Sequence, residues 1–228
     1  MAILSESDKE ALKKIFEESL KNKVDIEVYL DFENNKEASE IAKELFSEIG
    51  KLSDKIVIDF VDSNSDIGKT KLEERNLILD KQGNRKGPIV LFKDYPNIIF
   101  YGLPAGEEFP VFLEDLIHIS NGEIHLSEDV KETIEKINKN IDIFVFVTPT
   151  CPYCPIASHG AHMFSMVNKN IRGIVIEATE YFELSGEFNV YAVPKIAILS
   201  NGQILDSWEG ALPEREFAKK ILKAIEKI

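Results

Sequence analysis

Residues 144–155 read Phe-Val-Phe-Val-Thr-Pro-Thr-Cys-Pro-Tyr-Cys-Pro and hold both cysteines of the 228-residue chain, Cys151 and Cys154. The apolar, partly β-branched start predicts a buried strand, and Thr-Pro-Thr predicts a turn before a helix. This order places the first sulfur beside the unpaired N–H groups and the positive dipole end of the helix, where a thiolate is favoured. The spacing Cys-x-x-Cys therefore indicates a reactive dithiol.

The composition limits where the chain works and what it binds. No apolar run approaches the ~20 residues that cross a bilayer, and residues 1–8 lack the pattern of a signal peptide. We therefore expect a cytoplasmic protein, in which a lone cysteine pair is more often redox-active or metal-binding than a structural cross-link. The net charge of −13 argues against nucleic acid and anionic membranes as partners. A charged fraction of 29% favours a thermophile, whereas fourteen asparagines argue against one.

The chain repeats one pattern of elements twice. In each half, helix-separated strands are followed by a hairpin and a last helix, and Ser7 with Glu10 fits a capping box at the first helix. Predicted strands cover 24–30, 55–61, 88–92, 97–101, 141–147, 173–177, 194–199 and 203–208. Asn201-Gly202 is a strong hairpin signal between the last two strands. The pattern predicts two α/β domains, each a mixed central sheet flanked by helices, at residues 1–119 and 124–228. One domain with chance internal similarity is the alternative.

The motifs resemble a known family. Cys151-Pro-Tyr-Cys154 resembles the active-site signature of glutaredoxins, and Val193-Pro194 resembles the cis-proline of thioredoxin folds. Two such domains in tandem resemble the glutaredoxin-like protein disulfide oxidoreductases of thermophilic archaea and bacteria, over nearly the whole chain. The resemblance implies two thioredoxin-like α/β/α domains and dithiol–disulfide exchange on proteins. It also implies a cis Val193–Pro194 bond.

The dithiol residues have distinct expected roles. We expect Cys151 to be an exposed nucleophile at or before the helix start, and Cys154 to be a more buried resolving thiol one turn into the helix. Pro152 fixes φ for the start of the helix. Tyr153 either shields the pair, packs on a substrate or is an ordinary exposed aromatic. No bound cofactor is expected beyond the redox-active Cys151–Cys154 disulfide.

Substrate contact is expected on the loop at Val193 and Pro194. In related folds this loop faces the dithiol, and its backbone can pair with an extended client segment. Thioredoxins also place a buried acid on the strand before the dithiol, but the matching residue here is Val145. The proton acceptor for Cys154 must therefore come from elsewhere, with water or Glu177 as candidates.

The first domain departs from the family pattern, because residues 30–36 contain no thiol where many members carry a second Cys-x-x-Cys. One active site in a twin fold also resembles the N-terminal domain of the flavoprotein alkyl hydroperoxide reductase. This resemblance implies an alternative function, electron transfer from a flavin reductase to a peroxiredoxin-like client. The expected partners are protein disulfides or dithiols and a thioredoxin-reductase-like flavoprotein. The thiol-free domain is either a scaffold or a module that binds a client, a reductase or a second copy in a homodimer.

Metal binding by the Cys-x-x-Cys pair is the rival from another class. A structural zinc site needs four ligands. His162 lies eight residues beyond Cys154 on the same helix face, and His159 lies on another face, so neither readily shares an ion with both thiols. We therefore expect no metal, and we expect the histidines to be surface or packing residues. An iron–sulfur cluster shared between two chains is the second metal alternative.

Overall fold

The computed structural model describes residues 3–77 and 87–226. In these ranges the helices are α1 (Glu6–Ser19), α2 (Lys36–Gly50), α3 (Asp66–Glu74), α4 (Glu108–Asn121), α5 (Glu128–Glu135), α6 (Cys154–Val167), α7 (Phe182–Glu187) and α8 (Glu214–Ile225). The strands are β1 (Val24–Leu30), β2 (Ile56–Asp62), β3 (Ile89–Phe92), β4 (Ile98–Tyr101), β5 (Ile141–Val147), β6 (Ile171–Glu177), β7 (Lys195–Ser200) and β8 (Gln203–Glu209). The predicted α/β class with mixed strand directions is confirmed.

Contacts divide the chain into two compact units. Unit 1 comprises Met1–Pro96, Tyr101–Leu103 and Leu116–Gly122, and unit 2 comprises Asn97–Phe100, Pro104–Asp115 and Glu123–Ile228. Most of β4 and the first half of α4 therefore group with unit 2, although they precede it in the repeat. The predicted domains at 1–119 and 124–228 stay a prediction about how the chain is organised.

Unit 1 is built around β1. This strand runs parallel to β2, with Val24 opposite Ile56, and antiparallel to β3, with Ile26 opposite Phe92. Helix α2 contacts β1 and β2 through a face that includes Ala42, Leu45 and Phe46. The capping box of α1 is formed by Ser5 and Asp8, and the prediction of Ser7 and Glu10 was wrong. The helix simply begins two residues earlier than its apolar periodicity suggested.

An ion cluster fastens α3 to β1 in unit 1. The buried carboxylate of Glu27 lies 3.2 Å from Lys71 Nζ and 2.7 Å from Arg75 Nη2, and it accepts a hydrogen bond from Tyr29 Oη at 3.0 Å. Burial and the negative charge of Glu27 raise the pKa of Tyr29 to about 12. Because every group in this cluster has a partner, the buried charge of Glu27 is compensated.

Unit 2 contains the strand order β4-β6-β5-β7-β8. Strand β5 is parallel to β6 and antiparallel to β7, and its last residues are Phe146, opposite Lys195, and Val147, opposite Glu177. The predicted hairpin is confirmed: β7 and β8 pair antiparallel around Asn201 and Gly202, whose φ values are 49° and 76°. Two residues with positive φ are what a type I′ turn requires.

Helix α6 is the central helix of unit 2. It packs on β5 and β6, and α5 contacts it from another side. Most of its apolar residues are buried, and Phe164 meets Phe217 of α8 edge-on, with ring centroids 5.2 Å apart. Asn168 ends the helix by donating to the carbonyl oxygens of Ile134 and Ile137 at 2.8 and 2.7 Å. Helix α6 is therefore held in place on several sides.

Two further backbone features bear on the site. The Val193–Pro194 bond is cis, as predicted, and so is the corresponding Gly87–Pro88 bond. Within residues 3–77 and 87–226, no helix combines the length and apolar character that a bilayer span needs.

Candidate dithiol site

The two cysteines form a disulfide at the start of α6. Their Cα atoms are 5.5 Å apart, within the usual range for such bonds. Residues 151–153 form a turn, closed by the Cys154 N–H donating to the Cys151 carbonyl at 3.3 Å. Helix α6 begins at Cys154, so the prediction that this cysteine lies one turn into the helix was wrong. The turn occupies the residues that the prediction assigned to the helix.

The two sulfur-bearing residues differ in exposure. Cys154 is 0% exposed and Cys151 is 7% exposed, which confirms the predicted order. The prediction that Cys151 is exposed was wrong for this oxidised form. Pro152 is exposed, and Tyr153 is 66% exposed beside the pair. These two exposed side chains lie between the two cysteines in the chain.

The loop that carries Cys151 is held from two directions. The Cys151 N–H donates to the Thr148 carbonyl at 3.1 Å, and the Pro149 carbonyl accepts from the Glu107 N–H at 2.9 Å. Gly106 has a φ of 59°, and a Cβ at this position would overlap the Pro149 carbonyl. The segment before α4 therefore packs directly on residues 148–153, the thiol loop, and only glycine permits this approach.

The cis-proline loop lies at the same end of the sheet. Because Phe146 pairs with Lys195, Pro194 comes next to the end of β5, from which residues 148–150 lead to Cys151. The Pro194 carbonyl accepts from the Gly210 N–H at 2.8 Å. Val193 is half-buried and makes no backbone hydrogen bond within the described ranges. The fold thus brings the dithiol and residues 193–194 to one edge.

The acid on the neighbouring strand is not available to the dithiol. The carboxylate of Glu177 accepts from the Thr179 hydroxyl at 2.7 Å and from the Glu180 N–H at 2.6 Å. These bonds hold the turn after β6, which argues against Glu177 as the proton acceptor. Val145 is fully buried, so the thioredoxin-like acid position is apolar here.

A second acid, missed in the sequence, lies against α6. Glu108, the first residue of α4, is 3% exposed. Burial raises its pKa to about 7, Asp115 and Glu107 add to the rise, and Ser158 and His162 oppose it. Ser158 lies one turn after Cys154 on the same face of α6. Neither oxygen of Glu108 has a well-formed hydrogen bond among the described residues. An uncompensated buried carboxyl of this kind favours its protonated form.

The burial of Glu108 has a sequence signal that was available. The apolar residues Phe112, Leu116 and Ile119 recur at helical spacing, and Glu108 lies four residues before Phe112 on that face. Acidic residues on an apolar face are unusual and indicate a special environment.

The histidines divide between buried and surface positions. His162 is fully buried, and its Nδ1 lies 2.7 Å from Oδ2 of the equally buried Asp115. His159 lies 3.6 Å from the half-exposed Glu114, and His125 is exposed. Within the part of the chain that the structure describes, no group of three or more His, Cys, Asp or Glu side chains could hold a metal ion.

Sequence comparisons agree with the fold. Residues 139–223 match the family model described as a thioredoxin domain. The alkyl hydroperoxide reductase protein AhpF of Escherichia coli K12 is 24% identical over 202 residues, which are 89% of this chain and 35% of that protein. The corresponding protein of Pseudomonas aeruginosa is 24% identical over 122 residues, 54% of this chain and 23% of that protein. The chain spans about a third or less of the length of these curated relatives.

Solved structures extend the likeness to the whole chain. A protein disulfide oxidoreductase from Aeropyrum pernix K1 has a TM-score of 0.84 and 26% identity, covering 100% of this chain and 96% of that chain. The AhpF protein of Enterococcus faecalis has a TM-score of 0.80 and 21% identity, covering 96% of this chain and 99% of that one, and this likeness shows the fold alone. The predicted resemblance is confirmed: residues 139–223 match a thioredoxin domain, and the whole chain is similar in structure to a protein disulfide oxidoreductase.

Proposed function

We propose that the chain exchanges disulfides with client proteins through the Cys151–Cys154 pair. The observation that carries this proposal is a disulfide at the start of α6 in which Cys151 retains some exposure and Cys154 has none. The Cys151 thiolate attacks a client disulfide, forms a mixed disulfide and releases one client thiolate. Cys154 then attacks Cys151 Sγ, releases the second client thiolate and closes the intramolecular bond. The reverse sequence oxidises a client dithiol.

Glu108 is the proton acceptor in this proposal. When Cys154 becomes a nucleophile, its proton passes by way of the Ser158 hydroxyl, one turn along α6, to the Glu108 carboxylate. A group with a pKa of about 7 is well matched to proton transfer near neutral pH. In the reverse direction the same carboxyl returns the proton to Cys154. This assignment replaces the water or Glu177 that the sequence suggested.

The client segment lies along residues 193–194 in this proposal. The unpaired backbone of Val193 can donate to and accept from an extended chain, while Pro194 fixes the loop. Pro152 and Tyr153 contact the client beside the reacting sulfurs. Backbone pairing of this type binds clients with little dependence on their sequence.

The electron donor in this proposal is a thioredoxin-reductase-like flavoprotein in the cytoplasm, and no cofactor is bound to the chain itself. The likeness to the alkyl hydroperoxide reductase protein AhpF supports a second candidate, transfer of reducing equivalents to a peroxiredoxin-like client. Unit 1, which holds no thiol, serves as a scaffold. A second copy of the chain that binds through unit 1 would form a homodimer. Gel filtration at several protein concentrations tests for this homodimer.

Serine substitutions test the roles of the two thiols. Cys154→Ser should accumulate mixed disulfides with client proteins, because no resolving thiol remains, and Cys151→Ser should abolish turnover. Non-reducing gels and mass spectrometry identify the trapped species, with the double variant as the control. Trapping by Cys151→Ser instead would reverse the roles, and trapping by neither variant would sink the proposal.

The reduction potential of the Cys151–Cys154 pair decides whether the chain reduces client disulfides or forms them. The reduction potentials of dithiol proteins span roughly −270 to −120 mV. A potential near the reducing end favours a reductase, and one near the oxidising end favours a disulfide former. Turnover with a flavoprotein reductase is then compared on a protein disulfide and on a peroxiredoxin. Preference for the peroxiredoxin would favour the second candidate.

A further inference from the structure

Two helix faces in unit 2 bring together more ionisable groups than disulfide exchange requires. Helix α4 carries Glu108 and Asp115, seven residues apart and therefore on one face. Helix α6 carries Ser158 and His162, four residues apart and also on one face. All four residues are at most 3% exposed. The two faces meet where Asp115 contacts His162.

The Asp115–His162 contact is closed off from solvent. His162 Nδ1 and Asp115 Oδ2 are 2.7 Å apart, whereas Asp115 Oδ1 and His162 Nε2 have no hydrogen-bond partner among the described residues. The His162 ring meets Phe100 edge-on, with centroids 4.8 Å apart. Charges in such surroundings are weakly screened, so a carboxyl on the same helix face feels them strongly.

The two members of the contact act on Glu108 with opposite signs. A negative charge on Asp115 favours the protonated form of Glu108, whereas a positive charge on His162 favours the ionised form. Glu107, the residue before α4, adds a second negative charge. Among the described residues, the charged groups that act on Glu108 are Glu107, which precedes α4, Asp115 on α4 and His162 on α6.

We propose that the buried Asp115–His162 contact is a positioning pair for Glu108: it sets the charge around this carboxyl and thereby the pH range in which Cys154 loses its proton. The inference rests on the proposed role of Glu108 as proton acceptor. His162 lies eight residues, about 12 Å along the axis of α6, from Cys154, and Asp115 contacts His162, so the pair acts through Glu108.

If the pair has this role, substitutions of Asp115 and of His162 should shift the titration of Glu108 in opposite directions. In the oxidised full-length protein, the Glu108 carboxyl is followed by ¹³C NMR as a function of pH, with Glu108→Gln assigning the signal. Asp115→Asn should lower the pH at which Glu108 titrates, and His162→Gln should raise it. The double variant should fall between them. In a stopped-flow assay of mixed-disulfide resolution, the pH midpoint should move in the same directions.

A surface pair on the same two helices provides the matched control. Glu114 and His159 lie 3.6 Å apart, with side chains 56% and 22% exposed. Solvent screens this pair, so Glu114→Gln and His159→Gln should leave the Glu108 titration unchanged. Asp115→Asn keeps the size of the side chain and its capacity to bond His162, so it carries the test even where His162→Gln fails to fold.

The outcomes separate this inference from the proposed function. If Asp115→Asn and His162→Gln shift the Glu108 titration in the same direction, or if a folded Asp115→Asn leaves it unchanged, the positioning pair is refuted. If Glu108→Gln resolves mixed disulfides at the wild-type rate, the proposed proton role fails, and the inference that depends on it fails with it. A slow Glu108→Gln variant together with opposite shifts supports both.

Discussion

At the scale of single residues, the loops after the central strands β1 and β5 carry different functional groups. Where β5 leads to Cys151, β1 leads to the fully buried Asp31. The Asp31 carboxylate accepts from the N–H groups of Glu33 and Asn34 at 3.1 and 2.9 Å, and from Asn64 Nδ2 at 2.7 Å. In unit 1, the loop after the central strand is therefore held by a hydrogen-bonded carboxylate. The loop after the central strand of unit 2 carries Cys151 instead. This difference is consistent with a scaffold role for unit 1.

Replacing Asp31 should cost much of the stability of unit 1. Asp31→Ala removes the buried acceptor of four hydrogen bonds, and we expect a loss of about 3 kcal/mol in the free energy of unfolding. Asp62→Ala is the matched control, because Asp62 is exposed and its carboxylate accepts from the Asn64 N–H at 2.9 Å. Urea unfolding measures both, and the control should lose less than about 1 kcal/mol. Equal losses would contradict the importance given to the Asp31 loop.

Glu108 should make stability depend on pH. Its pKa is raised from 4.5 to about 7. Between these values the folded carboxyl keeps a proton that the unfolded chain releases, so the free energy of unfolding falls as pH rises. At about 1.36 kcal/mol per pH unit, the total loss is about 3 kcal/mol, complete above pH 7.

Glu108→Gln should remove this loss. The variant should therefore gain about 3 kcal/mol over the wild type between pH 4.5 and pH 8, while its resolving step slows about 100-fold. Urea unfolding of the oxidised proteins at pH 4.5 and pH 8 measures the first effect, and stopped-flow resolution measures the second. A stability difference that is the same at both pH values would show that Glu108 titrates normally.

At the scale of elements, the thiol loop depends on a segment far from it in sequence. Gly106 and Glu107 pack on Pro149, and Glu108 follows immediately at the start of α4. One short segment therefore both supports the loop that carries Cys151 and supplies the carboxyl beside α6. The position of the sulfur and the position of the acid are coupled through three consecutive residues.

Gly106→Ala should displace the thiol loop. The added Cβ would overlap the Pro149 carbonyl, and a shift of about 1 Å at a reacting group can slow the reaction about 100-fold. Gly202→Ala is the control, because Gly202 also has a positive φ, 76°, but has no atom within 4 Å of the added Cβ. Rates of disulfide exchange and thermal melting compare the two. Equal rates in the two variants would show that the positive φ, and not the overlap with the Pro149 carbonyl, determines the effect on disulfide exchange.

At the scale of the whole molecule, unit 2 includes residues that precede its sequence repeat. Asn97 Nδ2 donates to the carbonyl oxygens of Ser165 and Ile171 at 2.7 and 2.9 Å, and the Gly173 N–H donates to the Asn97 carbonyl at 2.9 Å. Phe100 packs on His162. These contacts join β4 to α6 and β6, so the active unit is not contained within the second repeat.

A fragment of residues 124–228 should therefore be less stable than the intact chain and slow in resolution. It lacks Asn97, Phe100 and Glu108, which leaves the edge of β6 unpaired and removes the proposed proton acceptor. A fragment of residues 97–228 keeps these groups and is the comparison. Thermal melting and stopped-flow resolution measure both. A 124–228 fragment that melts and resolves like the 97–228 fragment would show that the repeat is an independent domain.

The family resemblance of the motifs implied the cis Val193–Pro194 bond, and the sequence alone determined the dithiol, the strand order along the chain and the Asn201-Gly202 hairpin. These features are local, because strand alternation, turn residues and the Cys-x-x-Cys spacing act over a few neighbouring positions. Tertiary structure alone decided the burial of Cys151, the Asp115–His162 contact and the perturbed pKa of Glu108. The Asp115–His162 contact and the raised pKa of Glu108 depend on the burial of residues from α4 and α6, and residues fifty positions apart along the chain, such as Glu108 and Ser158, carry no local pattern that records their proximity.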